Sequence, residues 1–206
     1  VLRPKDLVVP RLARAHQRAY TTAMSASSTH LVTGGTGGLG LLTARWLAQR
    51  VAARALALAA RSGVLTRGAA GEWAGLLAAN VVTLVQRCNT AEGTHVGRLL
   101  AHITADASPI GVWHAAGVLA DGVLPRQTAE ALARVYAPKA HGAWALHRAF
   151  ATAVECTSAL FSSVAALLGG AGQANYSAAN ACLDALAACR RTCARAATSV
   201  QWGAWA

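Results

Sequence analysis

From residue 29 onward, short apolar runs alternate with longer stretches whose apolar positions recur every three or four residues. His30-Leu31-Val32-Thr33 is the first such run, and it breaks at once into the glycine-rich stretch Gly34 to Gly40. The pattern then predicts a helix from about Leu39 to Val51, with Leu42, Trp46 and Leu47 or Arg50 spaced for one face. Ala55 to Ala60 is weak as a strand on propensity alone. Its place between that helix and the turn Arg61-Ser62-Gly63 makes it one. A helix near Ala69 to Ala79 leads to a strand over Val81 to Val85. A helix over Thr94 to Thr104 leads to a strand over Ile110 to His114, closed by Ala115-Ala116-Gly117.

Thr128 to Phe150 has helical spacing but contains Pro138, whose missing N–H predicts a kink or a break into two segments. A short strand over Ala159 to Ser162 follows, with Ser163 at its end, then a glycine-rich turn. The next helix, Tyr176 to about Ala196, is apolar nearly all round and is expected to be buried. Ser199 to Trp202 is a last strand. Strands alternating with helices in this way predict an α/β fold, a Rossmann-type doubly wound parallel sheet with helices on both faces. Ligands of such sheets bind at the carboxyl edge of the strands. Val1 to Ser28 shows no periodicity beyond Val8 to Leu12 and ends in the linker-like run Thr21 to Ser28.

Composition narrows the function classes. The chain has 206 residues, 54% hydrophobic and 13% charged, enough for one domain with a substantial core. Apolar runs are broken well short of the roughly 18 residues that span a bilayer. Val1 to Arg14 carries charges and two prolines, unlike a signal peptide. A start without Met fits a piece of something longer. The net charge of +11 comes almost wholly from arginine, Lys5 and Lys139 being the only lysines. Such a charge fits a solvated arginine-rich surface, a nucleotide phosphate or an acidic protein partner. No run of five cations occurs and aromatics are not interleaved with them, so nucleic acid is not the expected partner, nor is a membrane. Cys88, Cys156, Cys182, Cys189 and Cys193 lack metal-ligand spacing, and their odd number argues against a disulfide framework. No metal is expected. A reducing, intracellular and cytoplasmic setting is. The last three cysteines are expected to act as small buried hydrophobes.

The candidate chemistry lies in two stretches that face the same sheet edge. Thr33, Gly34, Gly35, Thr36, Gly37, Gly38, Leu39 and Gly40 satisfy GxGxxG and TGxxxGxG together, directly after a strand and opening a helix. Glycines there let a pyrophosphate approach the backbone at the positive end of the helix. Arg61 and Ser62 follow the second strand, and no carboxylate appears until Glu72. Arginine at that place suits a 2′-phosphate, so the cofactor expected is NADPH rather than NADH. The second stretch is Phe161 to Asn180. It brings Ser163 to a strand end and sets Tyr176 and Asn180 one helical turn apart on one face. Lys139, inside a mostly apolar helix, adds an ammonium, and an ammonium near a phenol favours the ionised phenol. Together these residues point to a reductase.

TGGTGGLG, RSG, HAAGVLADG, PKAHGAWALH, FSSVAALLGGAGQANYSAANACLDALA and SVQWGAW, in this order, resemble the ketoreductase domain of type I polyketide synthases and the related domain of animal-type fatty acid synthase. Both belong to the short-chain dehydrogenase/reductase superfamily. The likeness spans Thr29 to Ala206. Ordinary members of the superfamily place a lysine four residues after the tyrosine. This chain has Asn180 there and its lysine upstream at Lys139, which is the exchanged arrangement of the synthase domains. The resemblance implies NADPH-dependent reduction of a β-ketoacyl thioester to the β-hydroxyacyl thioester. The acyl chain would be tethered by phosphopantetheine to an acyl carrier protein, with other synthase domains as neighbours.

The same resemblance assigns roles. Tyr176 would give the proton, Ser163 would orient the keto oxygen, Lys139 would hold the nicotinamide ribose, and Asn180 would organise the relay. Ala115, Ala116 and Gly117 would join the glycine loop around the cofactor, with Lys139 and Tyr176 touching it as well. The family's Cys-Asp-Val appears as Cys88-Asn89-Thr90, so Asn89 would offer adenine an amide in place of a carboxylate. Leu119-Ala120-Asp121 keeps the second aspartate of the Leu-Asp-Asp found in B-type members. Leu168 stands where A-type members carry tryptophan. Asp121 and Leu168 therefore imply B-type, D- or 3R-hydroxy stereochemistry. Residues 1–28 resemble only the tail of a structural subdomain plus a linker. Residues 29–206 resemble the catalytic half without its final strand and lid helix. The rival expectations are a non-catalytic cofactor-binding or scaffold fragment, and a free-standing dehydrogenase, which the Lys/Asn exchange disfavours.

Overall fold

The structure, a computed structural model, describes residues 29–51, 53–103, 111–151 and 156–203. Six parallel strands form one sheet in the order β3-β2-β1-β4-β5-β6. They are β1 (Thr29–Thr33), β2 (Ala55–Ala60), β3 (Val82–Arg87), β4 (Gly111–His114), β5 (Thr157–Ser163) and β6 (Ala197–Trp202). The helices are α1 (Gly38–Trp46), α2 (Ala70–Leu77), α3 (Gly93–Ile103), α4 (Ala129–Tyr136), α5 (Gly142–Ala149), α6 (Ala165–Leu168) and α7 (Ala174–Thr192). The expected doubly wound sheet is present. The expected readings of Val8 to Leu12 and of residues 1–28 lie outside the described residues, as do the predicted ends Thr104 and Ile110.

Successive strand residues face opposite sides, so both sides must be apolar to be covered. Leu31 and Val32 are both fully buried and feed opposite layers. Leu31 packs with Ala57, Val112, Val96 and Leu99 of α3, and Leu146 and Phe150 beside α5. Val32 packs with Leu56, Leu58, Leu41 and Ala44 of α1, and Leu76 of α2. Each such side chain contributes roughly 1.5–3 kcal/mol relative to exposure. A third cluster seats Leu183 and Ala187 of α7 against Leu160 and Ala197. The sheet edges β3 and β6 are only partly covered.

Several expectations are corrected. The buried side chains of α1 are Leu41 and Ala44, continued by Leu47 and Ala48 in the π-helical turn Leu47–Val51. Of the expected positions Leu47 is fully buried and Leu42 half-buried, while Trp46 is 47% exposed and Arg50 faces solvent. Leucine and tryptophan spacing fits either stripe, and contact with β1 and β2 selects the one nearer the small residues. At Pro138 the α-helical stretch does divide into two segments, α4 and α5, as expected, but the chain stays helical between them. A π-helical turn, Ala137–His141, carries the chain from α4 into α5 with helical dihedrals on both sides. A wide turn of this kind absorbs the missing N–H and is often found at functional sites. Helix α7 is buried along one face only, at Asn175, Ala179, Asn180, Leu183, Ala187 and Arg190. Cys182, Cys189 and Cys193 are exposed rather than buried, whereas Cys88 and Cys156 are buried. Apolar composition does not say which face of a helix meets a neighbour. Helix α6 and a 3-10 turn, Leu124–Arg126, were not anticipated, being too short to show a period.

Candidate active site

The strand order reverses between β1 and β4, and an open cavity of about 1090 Å³ lies at the carboxyl edge there. Thr33 ends β1, and Gly34 turns the chain with φ +67° while donating to Ala59 O at 2.7 Å. A side chain at Gly34 would sit 2.9 Å from the Ala115 and Ala116 backbone, and one at Gly40 would strike Gly34 O. The glycines thus allow the loop to fold on itself against the end of β4. Thr66 N–H and Oγ1–H both donate to Thr36 O, clasping the loop from the β2 side.

Gly34, Thr36, Gly37, Gly38, Leu39 and Gly40 line the cavity. Thr33 and Gly35 lie beneath it, Thr33 bonded to His114 Nδ1 and Gly35 packed on Leu58. Arg61 and Ser62 line the same space, although the Ser62 hydroxyl also bonds the Val64 backbone. Asn89 lines it with Oδ1 turned back to accept from Ala91 N–H at 3.3 Å. Ala115, Ala116 and Gly117 complete the wall beside β4. Among the lining residues Arg61 and Lys139 are the cations, and no carboxylate appears. That charge balance, with a glycine cradle at a helix start, fits a phosphate-bearing dinucleotide.

Ser163, Tyr176 and Lys139 face the same cavity. Ser163 ends β5, its Oγ accepting from Ala165 N–H at 3.2 Å. Tyr176 stands in the first turn of α7. Lys139 reaches out of the π-helical turn, donating to Phe161 O at 3.0 Å and Asn180 Oδ1 at 2.8 Å. Its Nζ lies 5.1 Å from the centre of the Tyr176 ring. Asn180 is fully buried behind the cavity wall, its Nδ2–H donating to Tyr176 O at 2.8 Å. Burial pushes the Lys139 ammonium down to about 8, the Asp184 charge acting in the opposite sense. Asp121 and Leu168 do not line the cavity. Asp121 is exposed and accepts from Gln173 Nε2–H at 3.1 Å, and Leu168 is 69% exposed on α6.

Residues 28–206 match the family model described as the KR domain. The chain belongs to the KR domain family. It is 42% identical over 99% of its length to polyketide synthase GfsA of Streptomyces halstedii. It is 46% identical over 89% to the spectinabilin polyketide synthase system protein NorB of Streptomyces orinoci. This KR domain spans only 3% and 8% of those two relatives. Among solved structures, an A-type ketoreductase from a modular polyketide synthase shares 39% identity with a TM-score of 0.81, matching 88% of this chain and 38% of that one. A C2-type ketoreductase shares 35% identity with a TM-score of 0.82, matching 95% of this chain and 42% of that one. The polyketide synthase ketoreductases, within the short-chain dehydrogenase/reductase superfamily, are oxidoreductases that reduce a ketone, and this chain is one of their number by family.

The structure of this KR domain also shows positioning residues beyond those expected from the sequence. Asn175 ties the start of α7 to the loop after β4, donating to Ala120 O at 2.8 Å and accepting from Tyr176 N–H at 2.7 Å. Gly122 N–H donates to Gly172 O at 2.8 Å, and Gln127 Nε2–H to Gly122 O at 2.8 Å. The loop carrying Asp121 is therefore stapled to the turn before Tyr176. Asp184, one helical turn beyond Asn180, accepts from Ser199 Oγ–H and from Gln201 Nε2–H at 2.9 Å, holding β6 to α7. A signal did exist: Asn175 and Asp184 are polar residues at helix positions that otherwise favour alanine.

Proposed function

We propose that this KR domain reduces a β-ketoacyl thioester to the β-hydroxyacyl thioester, using NADPH. The acyl chain would be tethered by phosphopantetheine to an acyl carrier protein of the same synthase. The observation that carries this reading is the meeting of Tyr176, Lys139 and Asn180 beside the glycine cradle. Residues 34 and 36–40, with Ala115 to Gly117, would hold the dinucleotide, and Arg61 with Ser62 would meet its 2′-phosphate. Asn89 would present the amide nitrogen to adenine, since its oxygen serves its own turn. When bound, NADPH supplies the hydride.

The chain's own residues handle the developing charge. Tyr176 donates its proton to the keto oxygen, and Ser163 hydrogen-bonds that oxygen so that negative charge is met by fixed donors. The Lys139 ammonium, held by Asn180 Oδ1 and Phe161 O, supports Tyr176 electrostatically and would hold a ribose hydroxyl of the cofactor. Retention of Asp121, with no tryptophan at Leu168, supports a B-type product of 3R configuration. The net charge of +11 suits an acidic carrier protein. Residues 29–206 are read as the catalytic subdomain and residues 1–28 as the tail of a structural one with its linker.

Tyr176→Phe tests the reading. NADPH oxidation with a β-ketoacyl thioester should fall roughly 10²–10⁴-fold while NADPH still binds. Turnover equal to wild type would overturn the role given to Tyr176, and a mainly 3S product would overturn the stereochemical assignment.

A further inference from the structure

His114 ends β4 directly opposite Thr33 of β1, and the two are register partners on the same face of the sheet. Its ring is fully buried and does not line the cavity. Nδ1 lies 2.7 Å from Thr33 Oγ1, and Nε2 lies 3.0 Å from the backbone oxygen of Lys139. A carbonyl oxygen can only accept, so Nε2 carries the proton and Nδ1 accepts from the threonine hydroxyl. One tautomer satisfies both contacts. Burial pushes the imidazole down to about 4, so it stays neutral across the working pH range.

The carbonyl at the far end belongs to the π-helical turn that presents Lys139. That oxygen also accepts from Gly142 N–H, leaving His114 to fill its second lone pair. A side chain at Gly142 would come within 2.6 Å of Thr90 Oγ1 and 3.2 Å of His114 Cε1. Only a glycine lets the turn approach the ring this closely. A side chain at Gly117 would lie 3.0 Å from Lys139 Cε, so the wall after His114 also shapes the lysine's path.

We propose that His114 is a positioning residue, a strut joining Thr33 at the root of the glycine loop to the backbone of Lys139 and setting the reach of the lysine toward Tyr176 and Asn180. The inference rests on the reductase reading for its effect on rate, but the strut can be measured without turnover. An error of about 1 Å in a catalytic group costs on the order of a hundredfold. Releasing the turn should therefore be felt mainly in kcat.

Two amides separate the ring's two contacts. Glutamine at 114 extends an amide N–H to the place of Nε2, whereas asparagine reaches only as far as Nδ1. In the full chain, His114→Gln should keep kcat within about threefold of wild type. His114→Asn should lower kcat roughly ten- to a hundredfold at little change in KM for the ketone. Thermal unfolding of both variants is followed alongside. Equal kcat losses in the two variants, or wild-type kcat in His114→Asn, would overturn the strut.

The second measurement needs no activity. With only Lys5 and Lys139 in the chain, ¹³C-labelled lysine gives two assignable signals. The Lys139 signal should titrate below the ordinary lysine range in wild type and His114→Gln, and move back toward that range in His114→Asn. Lys139 is faced by the Phe161 carbonyl oxygen, Asn180, the Tyr176 ring and the more distant charge of Asp184, none of which these variants alter. A chain without turnover that shows this shift would keep the strut and reject the reductase reading. An unmoved Lys139 titration in His114→Asn would reject the strut.

Discussion

Lys139 Nζ donates to Asn180 Oδ1 at 2.8 Å, a contact made between two helical segments 41 residues apart in the chain. It places an ammonium in a buried site with uncharged acceptors, and that has a measurable consequence. The folded pKa of Lys139 lies at about 8, against an unfolded value near 10.4.

The folded state therefore holds fewer protons than the unfolded one between about pH 8 and ~10.4, so stability rises with pH across that window. The contribution is complete above the unfolded value and is lost as pH falls through about 8. Urea titrations of wild type and Lys139→Met should show a stability difference that is flat below about pH 8 and moves in favour of wild type up to ~10.4. A pH-independent difference would contradict the burial of the charge. Because the charged form is the useful one in the proposed reaction, NADPH oxidation should decline as pH climbs through about 8.

Gly117→Ala should act on the lysine without unfolding the protein. The new methyl would meet Lys139 Cε at 3.0 Å, and a flexible side chain yields where a backbone would not. The expected result is a kcat lowered about tenfold or more, with an unfolding midpoint within a few degrees of wild type. Steady-state kinetics and a thermal melt check it, and full activity would mean the lysine has another path.

Two other glycines should respond in opposite directions. Gly40→Ala drives a methyl into the Gly34 carbonyl, a backbone contact that cannot step aside. It should cost about 2 kcal/mol or more and weaken NADPH binding by fluorescence titration. Gly97 is exposed in the middle of α3 with nothing within 4 Å of a added methyl. Gly97→Ala should stabilise the chain by up to about 1 kcal/mol through helix propensity, with cofactor binding unchanged.

Much of this was legible in the chain itself. The glycine loop, the alternation of elements and the family were all written in local patterns, because a tight turn at a strand end admits few residues other than glycine. The ends of β2 followed from neighbours rather than from propensity, since Ala55 to Ala60 fits a helix as well as a strand. Two apolar stripes compete along α1, and its sequence does not say which of them is buried. Cys182, Cys189 and Cys193 are exposed although their helix is apolar, because apolar composition does not declare which side meets the sheet.

The sequence alone determined which chemical groups are present, in what order, and on which kind of element each stands. Only the tertiary structure decided which of them meet. The β1–β4 register sets Thr33 beside His114, and the π-helical turn at Pro138 brings Lys139 to Asn180 of the neighbouring helix α7. Those pairings join residues far apart in the chain, and no local pattern encodes them. They follow from packing, where each buried polar group must find the partner that burial has made obligatory.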